Sequence, residues 1–371
     1  MRKFVLAVFA VLFTIASCKD KDKFSIEGKL ENSGGIKRVL LYEMDELVDS
    51  AFLNENDEFQ FTRTSTGPNF YTLLVGDKNF LLVAKNGDEI EFSTNYSDTS
   101  NAYTIDGSEE SLKIKEFNQL SGKYGKVFQK IQSDYTDLVS AMPSARDSLE
   151  RVFLPEFQLN MDAFIKEAFA FGEGNKDNLA GFYAVSSIDQ PDNDNRLRYE
   201  KELIGYAEAI KTKFPENKAV KSFVDKMLAI KEVAVGQPAP EFELATPERK
   251  LVKLSSLRGK YVLLDFWASW CAPCRAENPN IVAQYNTFKD KGFTIIGVSL
   301  DDNKEAWVKA IKDDRLNWTQ VSDLNRWDSK VAGRYHVDGI PASFILDPEG
   351  KIVAKNLRGA ELKDFLNKTL R

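Results

Sequence analysis

The chain has 371 residues, of which 43% are hydrophobic, 12% aromatic and 29% charged, and its formal net charge is −6. This length predicts two or more domains, and the hydrophobic fraction excludes global disorder and collagen-like repeats. The acidic balance argues against nucleic acid as a partner, and three cysteines with a single histidine, scattered along the chain, do not form a usual zinc cage, so no metal site is expected.

The N-terminus has the pattern of a secretory signal. A basic dipeptide precedes an uncharged, largely apolar stretch over residues 4–17, which is too short for a transmembrane anchor. The small residues before Cys18 resemble a bacterial lipobox, whose cysteine is diacylated and becomes the new N-terminus. We therefore expect a lipoprotein signal peptide over residues 1–17, a lipid anchor at Cys18 that holds the protein to a membrane, and a tether over residues 18–23. An ordinary signal peptide cut nearby and an uncleaved apolar helix are the alternatives.

Residues 24–105 consist of short β-type runs separated by turn signals, which predicts a small antiparallel β-sandwich-like domain. Residues 58–62 alternate with period two. The runs over residues 80–83 and 89–92 flank Asn86-Gly87-Asp88, which predicts a β-hairpin.

Residues 106–232 predict a helical region. Ser108 is expected to cap its first helix, and the following glutamates suit a first helical turn. Helix breaks are expected at Pro143, Gly172–Gly174, Pro191 and Pro215. Apolar residues at helical spacing predict one buried stripe, formed by Val220, Phe223, Val224, Met227 and Leu228. Nothing in residues 24–231 indicates a reaction.

Residues 236–371 alternate strand and helix patterns, which predicts an α/β layer architecture. The predicted strands cover residues 261–266, 293–298, 342–346 and 351–354, the last two forming a hairpin. The predicted helices cover residues 272–289, 303–312 and 360–370.

Cys271-Ala272-Pro273-Cys274 directly follows a buried-type strand and opens a predicted helix. At a helix N-terminus, unpaired backbone N–H groups and the helix dipole stabilise a thiolate, which is the nucleophile of disulfide exchange. We expect Cys271, nearest the helix end and more exposed, to attack, and Cys274 to release the mixed disulfide. Half a zinc ribbon would need a second cysteine pair, and a structural disulfide over so short a loop would stabilise little.

The segment Phe266–Arg275 resembles the active-site segment of the thioredoxin superfamily. Residues 236–242 and 254–260 resemble its TlpA/ResA-like branch of membrane-tethered, extracytoplasmic reductases, and Gly339–Phe344 resembles the cis-proline loop that faces the cysteines. The region before residue 236 is similar to a β-rich domain of unknown function, with a helical insert, that precedes thioredoxin domains in some Gram-negative lipoproteins.

Two acidic residues are candidates for catalysis. Asp265 lies within an apolar strand, where burial should raise its pKa. It matches the buried aspartate of thioredoxins that is thought to take the proton of the resolving thiol; a buried structural salt bridge is the alternative. Glu277 matches the acidic residue of many ResA-like proteins; an ordinary exposed helical glutamate is the alternative.

The resemblance also implies a substrate-binding surface. Trp270 is expected to form an apolar wall beside the sulfurs. If the Ile340–Pro341 bond is cis, the Ile340 backbone could pair with an extended substrate segment by strand addition. No cofactor is expected beyond the redox-active Cys271–Cys274 disulfide.

The direction of the reaction is predicted to be reduction. The dipeptide Ala272-Pro273 contains no histidine and acids surround the motif, which opposes extreme thiolate stabilisation. The expected protein is an envelope lipoprotein, facing the periplasm or in the outer membrane, that reduces disulfides of exported proteins, with apocytochrome c among the candidate substrates, and is recharged by a membrane electron donor.

Three alternatives stay open at this point. A thiol peroxidase needs a Thr-x-x-Cys context, and Ala268 occupies the place of that threonine. A disulfide isomerase is the second. The third is a ligand-binding lipoprotein in which the redox domain is accessory.

Overall fold

The computed structural model of the protein describes residues 21–188 and 198–370. The predicted signal peptide, the lipidation site at Cys18 and the helix break at Pro191 lie outside the described residues. Within these ranges, every helix is too short or too polar to span a membrane. The described chain forms two compact units, residues 21–188 with 209–221 and residues 198–208 with 222–370.

The first unit contains a β-sandwich of two four-stranded sheets. Its strands are β1 (Phe24–Glu31), β2 (Arg38–Glu43), β3 (Glu46–Phe52), β4 (Glu58–Arg63), β5 (Asn69–Val75), β6 (Lys78–Ala84), β7 (Glu89–Asn95) and β8 (Tyr103–Asp106). One sheet has the order β4-β1-β7-β8 and the other has the order β3-β2-β5-β6. Alternate side chains of both sheets point inward and pack into one apolar core, which confirms the predicted β-rich domain.

The predicted hairpin between β6 and β7 is wrong, because these two strands belong to different sheets. The Asn86-Gly87-Asp88 turn crosses from one sheet to the other and is bonded to the start of β1. Gly87 N donates to the Lys23 carbonyl at 2.7 Å, and Ser25 N donates to the Asp88 carbonyl at 2.9 Å. These bonds lead β7 onto β1 in a parallel pairing, whereas the other strand pairs of both sheets are antiparallel.

The predicted helical region is confirmed. It contains α1 (Glu109–Ala141), α2 (Arg146–Gly174), α3 (Leu179–Ser186), α4 (Glu200–Ile210) and α5 (Lys218–Lys231). Ser108 caps α1 as expected, since its hydroxyl accepts a hydrogen bond from Ser111 N at 3.2 Å. Breaks occur at the predicted Pro143, where a short 3₁₀ turn separates α1 from α2, at Gly174, and around Pro215, between α4 and α5.

The predicted apolar stripe of α5 is largely confirmed. Four of its members are less than 7% exposed, namely Val220, Phe223, Val224 and Met227. Leu228, the fifth member, is half-buried.

The second unit is built on a seven-stranded sheet of order β10-β9-β13-β12-β11-β14-β15. Its strands are β9 (Glu243–Ala245), β10 (Leu251–Lys253), β11 (Tyr261–Trp267), β12 (Phe293–Ser299), β13 (Thr319–Ser322), β14 (Ala342–Leu346) and β15 (Ile352–Lys355). Its helices include α6 (Ala272–Phe288), α7 (Lys304–Asp313), α8 (Lys330–Arg334) and α9 (Gly359–Thr369). The α/β architecture and the β14–β15 hairpin are as predicted.

The central strands of this sheet position the candidate site. β11, β12 and β13 run parallel, so their carboxyl ends meet at one edge of the sheet. The chain leaves β11 at this edge and enters α6 within five residues, at Cys271. From Val262 onward, β11 is buried, because it is covered on both faces and has neighbours on both sides.

Candidate active site

Cys271 and Cys274 form a disulfide at the N-terminus of α6, with an S–S distance of 2.06 Å. Cys271 is the N-cap residue, and its sulfur accepts a hydrogen bond from Cys274 N at 3.2 Å. Pro273 stands in the first turn, where its missing N–H removes no helical hydrogen bond. The free backbone donors and the helix dipole at this end stabilise negative charge on the Cys271 sulfur.

Both cysteines are buried, Cys271 being 4% exposed and Cys274 2% exposed. The predicted difference in exposure is therefore small. The two sulfurs differ more clearly in position, because Cys271 precedes the first turn of α6, whereas Cys274 lies within it and lines a small cavity beneath the disulfide.

Asp265 lines the same cavity as Cys274. It lies in β11 between Gly297 of β12 and Ser343 of β14, and it is 6% exposed. Burial raises the pKa of this carboxyl from 3.8 to about 7, while the positive charge of Arg358 lowers it and the negative charge of Glu277 raises it. A carboxyl with a pKa near neutrality can take up and release a proton at ordinary pH.

Glu277 also lines this cavity, and its carboxylate binds the start of α9. Its Oε1 accepts hydrogen bonds from Gly359 N at 2.9 Å and from Asn280 Nδ2 at 2.7 Å. A carboxylate is stabilised at a helix N-terminus by the free N–H groups and the dipole. Glu277 is thus half-buried and bonded, unlike the ordinary exposed helical glutamate of the alternative interpretation.

The loop before β14 supplies the opposite wall. The Ile340–Pro341 peptide bond is cis, and Pro341 lines the cavity together with Cys274. Within the part of the chain that the structure describes, the backbone N–H and C=O of Ile340 have no hydrogen-bond partner. The structure therefore brings four of the predicted residues, Cys274, Asp265, Glu277 and Pro341, around one cavity.

Arg358 is a residue that the sequence analysis missed. It precedes α9 and its guanidinium donates a hydrogen bond to the Pro341 carbonyl oxygen. Its positive charge also acts on the pKa of Asp265. No local pattern connects residue 358 with β11, so only the folded arrangement reveals this link.

A second missed residue, Asp301, fixes the segment that leads into Cys271. Asp301 is 1% exposed, and its carboxylate accepts hydrogen bonds from Ser269 N at 2.9 Å and from Ser269 Oγ at 2.5 Å. Ser299 Oγ donates to the same carboxylate at 2.7 Å. Trp270, between Ser269 and Cys271, remains 45% exposed beside the disulfide, where the prediction placed a substrate contact.

Comparison with known proteins adds independent information. Residues 235–355 match the model of the AhpC/TSA family, and residues 24–113 match a domain of unknown function, DUF4369. The chain is 37% identical over 138 residues to thiol-disulfide oxidoreductase ResA of Bacillus subtilis (strain 168), covering 36% of this chain and 75% of that protein. It is 34% identical over 144 residues to a ResA of Bacillus cereus, covering 39% of this chain and 79% of that protein.

The thioredoxin domain of a thiol-disulfide oxidoreductase from Bacteroides vulgatus is 43% identical, with a TM-score of 0.36, and the match covers 37% of this chain and 99% of that one.

Proposed function

This chain belongs to the family of ResA-like thiol-disulfide oxidoreductases, and on that premise we propose that it is a membrane-tethered reductase that acts on disulfides of exported proteins. The observation that carries the proposal is the Cys271–Cys274 disulfide at the N-terminus of α6, over a cavity that Cys274 shares with Asp265.

In the first step, the reduced protein attacks its substrate. The Cys271 thiolate, stabilised by the Cys274 N–H and the α6 dipole, attacks one sulfur of a substrate disulfide. The S–S bond of the substrate breaks, a mixed disulfide forms, and the other substrate sulfur leaves as a thiolate that takes a proton from water.

In the second step, Cys274 resolves the mixed disulfide. Asp265, with a pKa of about 7, accepts the proton of the Cys274 thiol, and the resulting thiolate attacks the Cys271 sulfur. The Cys271–Cys274 disulfide forms and the second substrate thiolate is released. Two electrons have then passed to the substrate, and the protein is in the disulfide state that the structure contains.

Trp270 and the Ile340 backbone are the proposed substrate contacts. An extended substrate segment would pair with the N–H and C=O of Ile340, while its cysteine lies against Cys271 and the exposed Trp270 ring packs on neighbouring side chains.

The location and the electron donor are part of the same proposal. The lipobox-like sequence at Cys18 supports a lipid anchor in the cell envelope, and the −6 net charge accords with a role that does not involve nucleic acid. A dithiol donor in the membrane would return two electrons to Cys271–Cys274, and apocytochrome c is one candidate substrate.

The test uses the chain from residue 18 onward with Cys18→Ser, which leaves only the active-site thiols. Equilibration with thiol-disulfide buffers should give a midpoint potential near that of thioredoxin, about −270 mV, and the protein should reduce insulin in the presence of dithiothreitol. A potential of about −120 mV would contradict the reductive direction, and no insulin reduction would contradict the oxidoreductase function. Cys271→Ser is the matched inactive control.

A thiol peroxidase is the second candidate, because the matching AhpC/TSA model shares its fold. Ala268, fully buried, stands where the peroxidatic threonine would be, and its carbonyl accepts a hydrogen bond from Cys271 N at 3.1 Å. Hydrogen peroxide consumption by the same chain without a protein substrate would support this candidate.

A further inference from the structure

The chain exposes two of its five tryptophans, and these two contact each other next to the disulfide. Trp270 is 45% exposed and Trp327 is 49% exposed, and their ring centroids are 6.2 Å apart. The other three, Trp267, Trp307 and Trp318, are at most 8% exposed. A single exposed apolar residue needs no explanation, but two adjacent exposed indoles beside a reactive group indicate a binding surface.

Two adjacent aspartates bind the residues that precede the two tryptophans. Asp301 accepts hydrogen bonds from Ser269, which precedes Trp270. Asp302 forms an ion pair with Arg326, which precedes Trp327, with an Nε–Oδ2 distance of 3.0 Å. The Arg326 and Asp302 side chains are 57% and 51% exposed, so this pair contributes little to folding stability. The pair does connect the Trp327 turn to the segment whose Asp301 binds the residue before Trp270.

The backbone of the Trp327 turn is unusual. Leu324 has a φ of 56° and Arg326 a φ of 49°, both in the left-handed region that non-glycine residues rarely adopt. Such conformations persist where the surrounding structure holds them, and they concentrate at ligand-binding sites. Here they lead the chain into the short 3₁₀ turn Arg326–Asp328, which places Trp327 against Trp270.

We propose that Trp270 and Trp327 form a subsite for a large apolar or aromatic side chain that lies next to the cystine of the protein substrate. The inference rests on the proposed function, because the substrate cysteine must lie against Cys271. Trp270 directly precedes Cys271, so the pair of rings lies next to the sulfur that the substrate cysteine contacts. An extended chain advances roughly 3.3 Å per residue, so a side chain one or two residues from the substrate cysteine reaches the rings. Aromatic rings attract one another when their centroids are about 4.5–7 Å apart. A substrate ring that packs on the exposed faces of Trp270 and Trp327 would lie within this distance of both.

The subsite would make the rate of reduction depend on the residues that flank the substrate disulfide. Disulfides flanked by buried-type residues such as Phe or Leu would be preferred, as in exported chains that have not finished folding. Oxidised glutathione has no such side chain and would gain nothing from Trp327.

The test compares two oxidised peptides with one intramolecular disulfide each, identical except for Phe or Ser next to the attacked cysteine. The Cys18→Ser chain should reduce the Phe peptide with a kcat/KM about tenfold higher, a factor that corresponds to about 1.4 kcal/mol. Trp327→Ala should abolish this preference, measured as the ratio of kcat/KM for the Phe peptide to kcat/KM for the Ser peptide. Trp327→Phe should retain most of it. Val308→Ala, at a position 40% exposed on α7, is the control and should change neither rate.

Three outcomes would overturn the inference. Equal rates of the wild-type chain on both peptides would contradict the subsite and leave the reductase function intact. If Trp327→Ala lowered kcat/KM equally for both peptides, and Trp327→Gln, with a larger side chain than alanine, did the same, Trp327 would have a structural role only. If the wild-type chain reduced neither peptide nor oxidised glutathione, this would contradict the proposed function itself, and the subsite with it.

Discussion

Glu277 accepts a hydrogen bond from the backbone N–H of Gly359 at 2.9 Å, across 82 positions of sequence. The residue before that glycine, Arg358, donates to the Pro341 carbonyl. The negative Glu277 of α6 and the positive Arg358 before α9 therefore both line the cavity of Asp265, and the two charges change its pKa in opposite directions.

The first prediction concerns this pair of charges. Arg358→Gln should raise the pKa of Asp265 above its value of about 7, and Glu277→Gln should lower it. If Asp265 is the base for Cys274, the midpoint of the pH profile for resolution of the mixed disulfide should move up in the first variant and down in the second. With a pKa of about 7, roughly half of Asp265 is ionised at pH 7, so Glu277→Gln can raise the rate there by at most about twofold, whereas Arg358→Gln should lower it.

Stopped-flow measurement of the resolution step from pH 5 to 9 tests this prediction, with the exposed Lys363→Gln on α9 as the control. Midpoints that move in the same direction in both variants would show that the two charges do not act through Asp265.

The second prediction concerns folding stability and pH. The pKa of Asp265 is about 7 in the folded protein and 3.8 for an ordinary aspartate, as in the unfolded chain. Between about pH 4 and about pH 7 the folded state therefore binds a proton on Asp265 that the unfolded state does not bind. The free energy of unfolding should therefore fall as pH rises from about 4 to about 7, and level off above that. Asp265→Asn should lack this component and be more stable than wild type at pH 8 by up to about 4 kcal/mol.

Urea unfolding at pH 5 and pH 8 checks the second prediction, with the exposed Asp364→Asn as the control. If the free energy of unfolding changed between pH 5 and pH 8 by the same amount in wild type and in Asp265→Asn, Asp265 would be ionised in the folded protein at both pH values.

The third prediction concerns which cysteine attacks the substrate and which resolves the mixed disulfide. Cys274→Ser should accumulate a mixed disulfide between Cys271 and the substrate, since no resolving thiol remains. Cys271→Ser should form none with the same substrate, because Cys274 lies within the first turn of α6 and lines the cavity beneath the disulfide, whereas Cys271 precedes that turn. Intact mass measurement after alkylation, in the Cys18→Ser background, distinguishes the two. Trapping by Cys271→Ser alone would reverse the assignment.

The fourth prediction concerns an ion pair near the α6 N-terminus. Arg275 Nη2 donates to Asp314 Oδ1 at 2.7 Å, and Asn278 donates to the same carboxylate at 2.6 Å. The Arg275 and Asp314 side chains are 30% and 16% exposed. Asp314→Ala removes the acceptor of three donors, Arg275 Nε, Arg275 Nη2 and the buried Asn278 Nδ2, so it should lower the free energy of unfolding by about 1–3 kcal/mol.

The neighbouring Asp313→Ala is the matched control, because its pair with Lys309 is exposed and should contribute less than about 1 kcal/mol. Thermal and urea unfolding measure both variants. Equal losses in the two would show that the Arg275 pair is no stronger than an ordinary surface pair.

The sequence predicts those parts of the fold whose signals are local. The apolar run of β11, the cysteines that follow it and the start of α6 can each be read within a few residues. β13 escaped prediction because Thr319–Ser322 is mostly polar, and yet three of its four residues are buried. Gln320 Oε1 accepts a hydrogen bond there from Trp267 Nε1 at 3.0 Å, a pairing that local periodicity does not contain.

The predicted hairpin at Asn86-Gly87-Asp88 failed for a related reason. A turn sequence specifies only that the chain changes direction. Which strand then pairs with β7 depends on packing across the whole sandwich, and that strand is β1 and not β6. Arg358 and Trp327 were missed likewise, because their importance depends on neighbours that are distant in the sequence.

The parallel pairing of β1 with β7 sets an order of events during folding. β1 can pair with β4 over a separation of at most about 40 residues, from Phe24 to Arg63. Its other edge has no partner until β7 is complete at Asn95, because a parallel neighbour requires a long intervening loop to close. Until that loop closes, β1 keeps an open strand edge with alternating buried and exposed side chains, and an unfinished sandwich is most prone to pair with another chain at this stage.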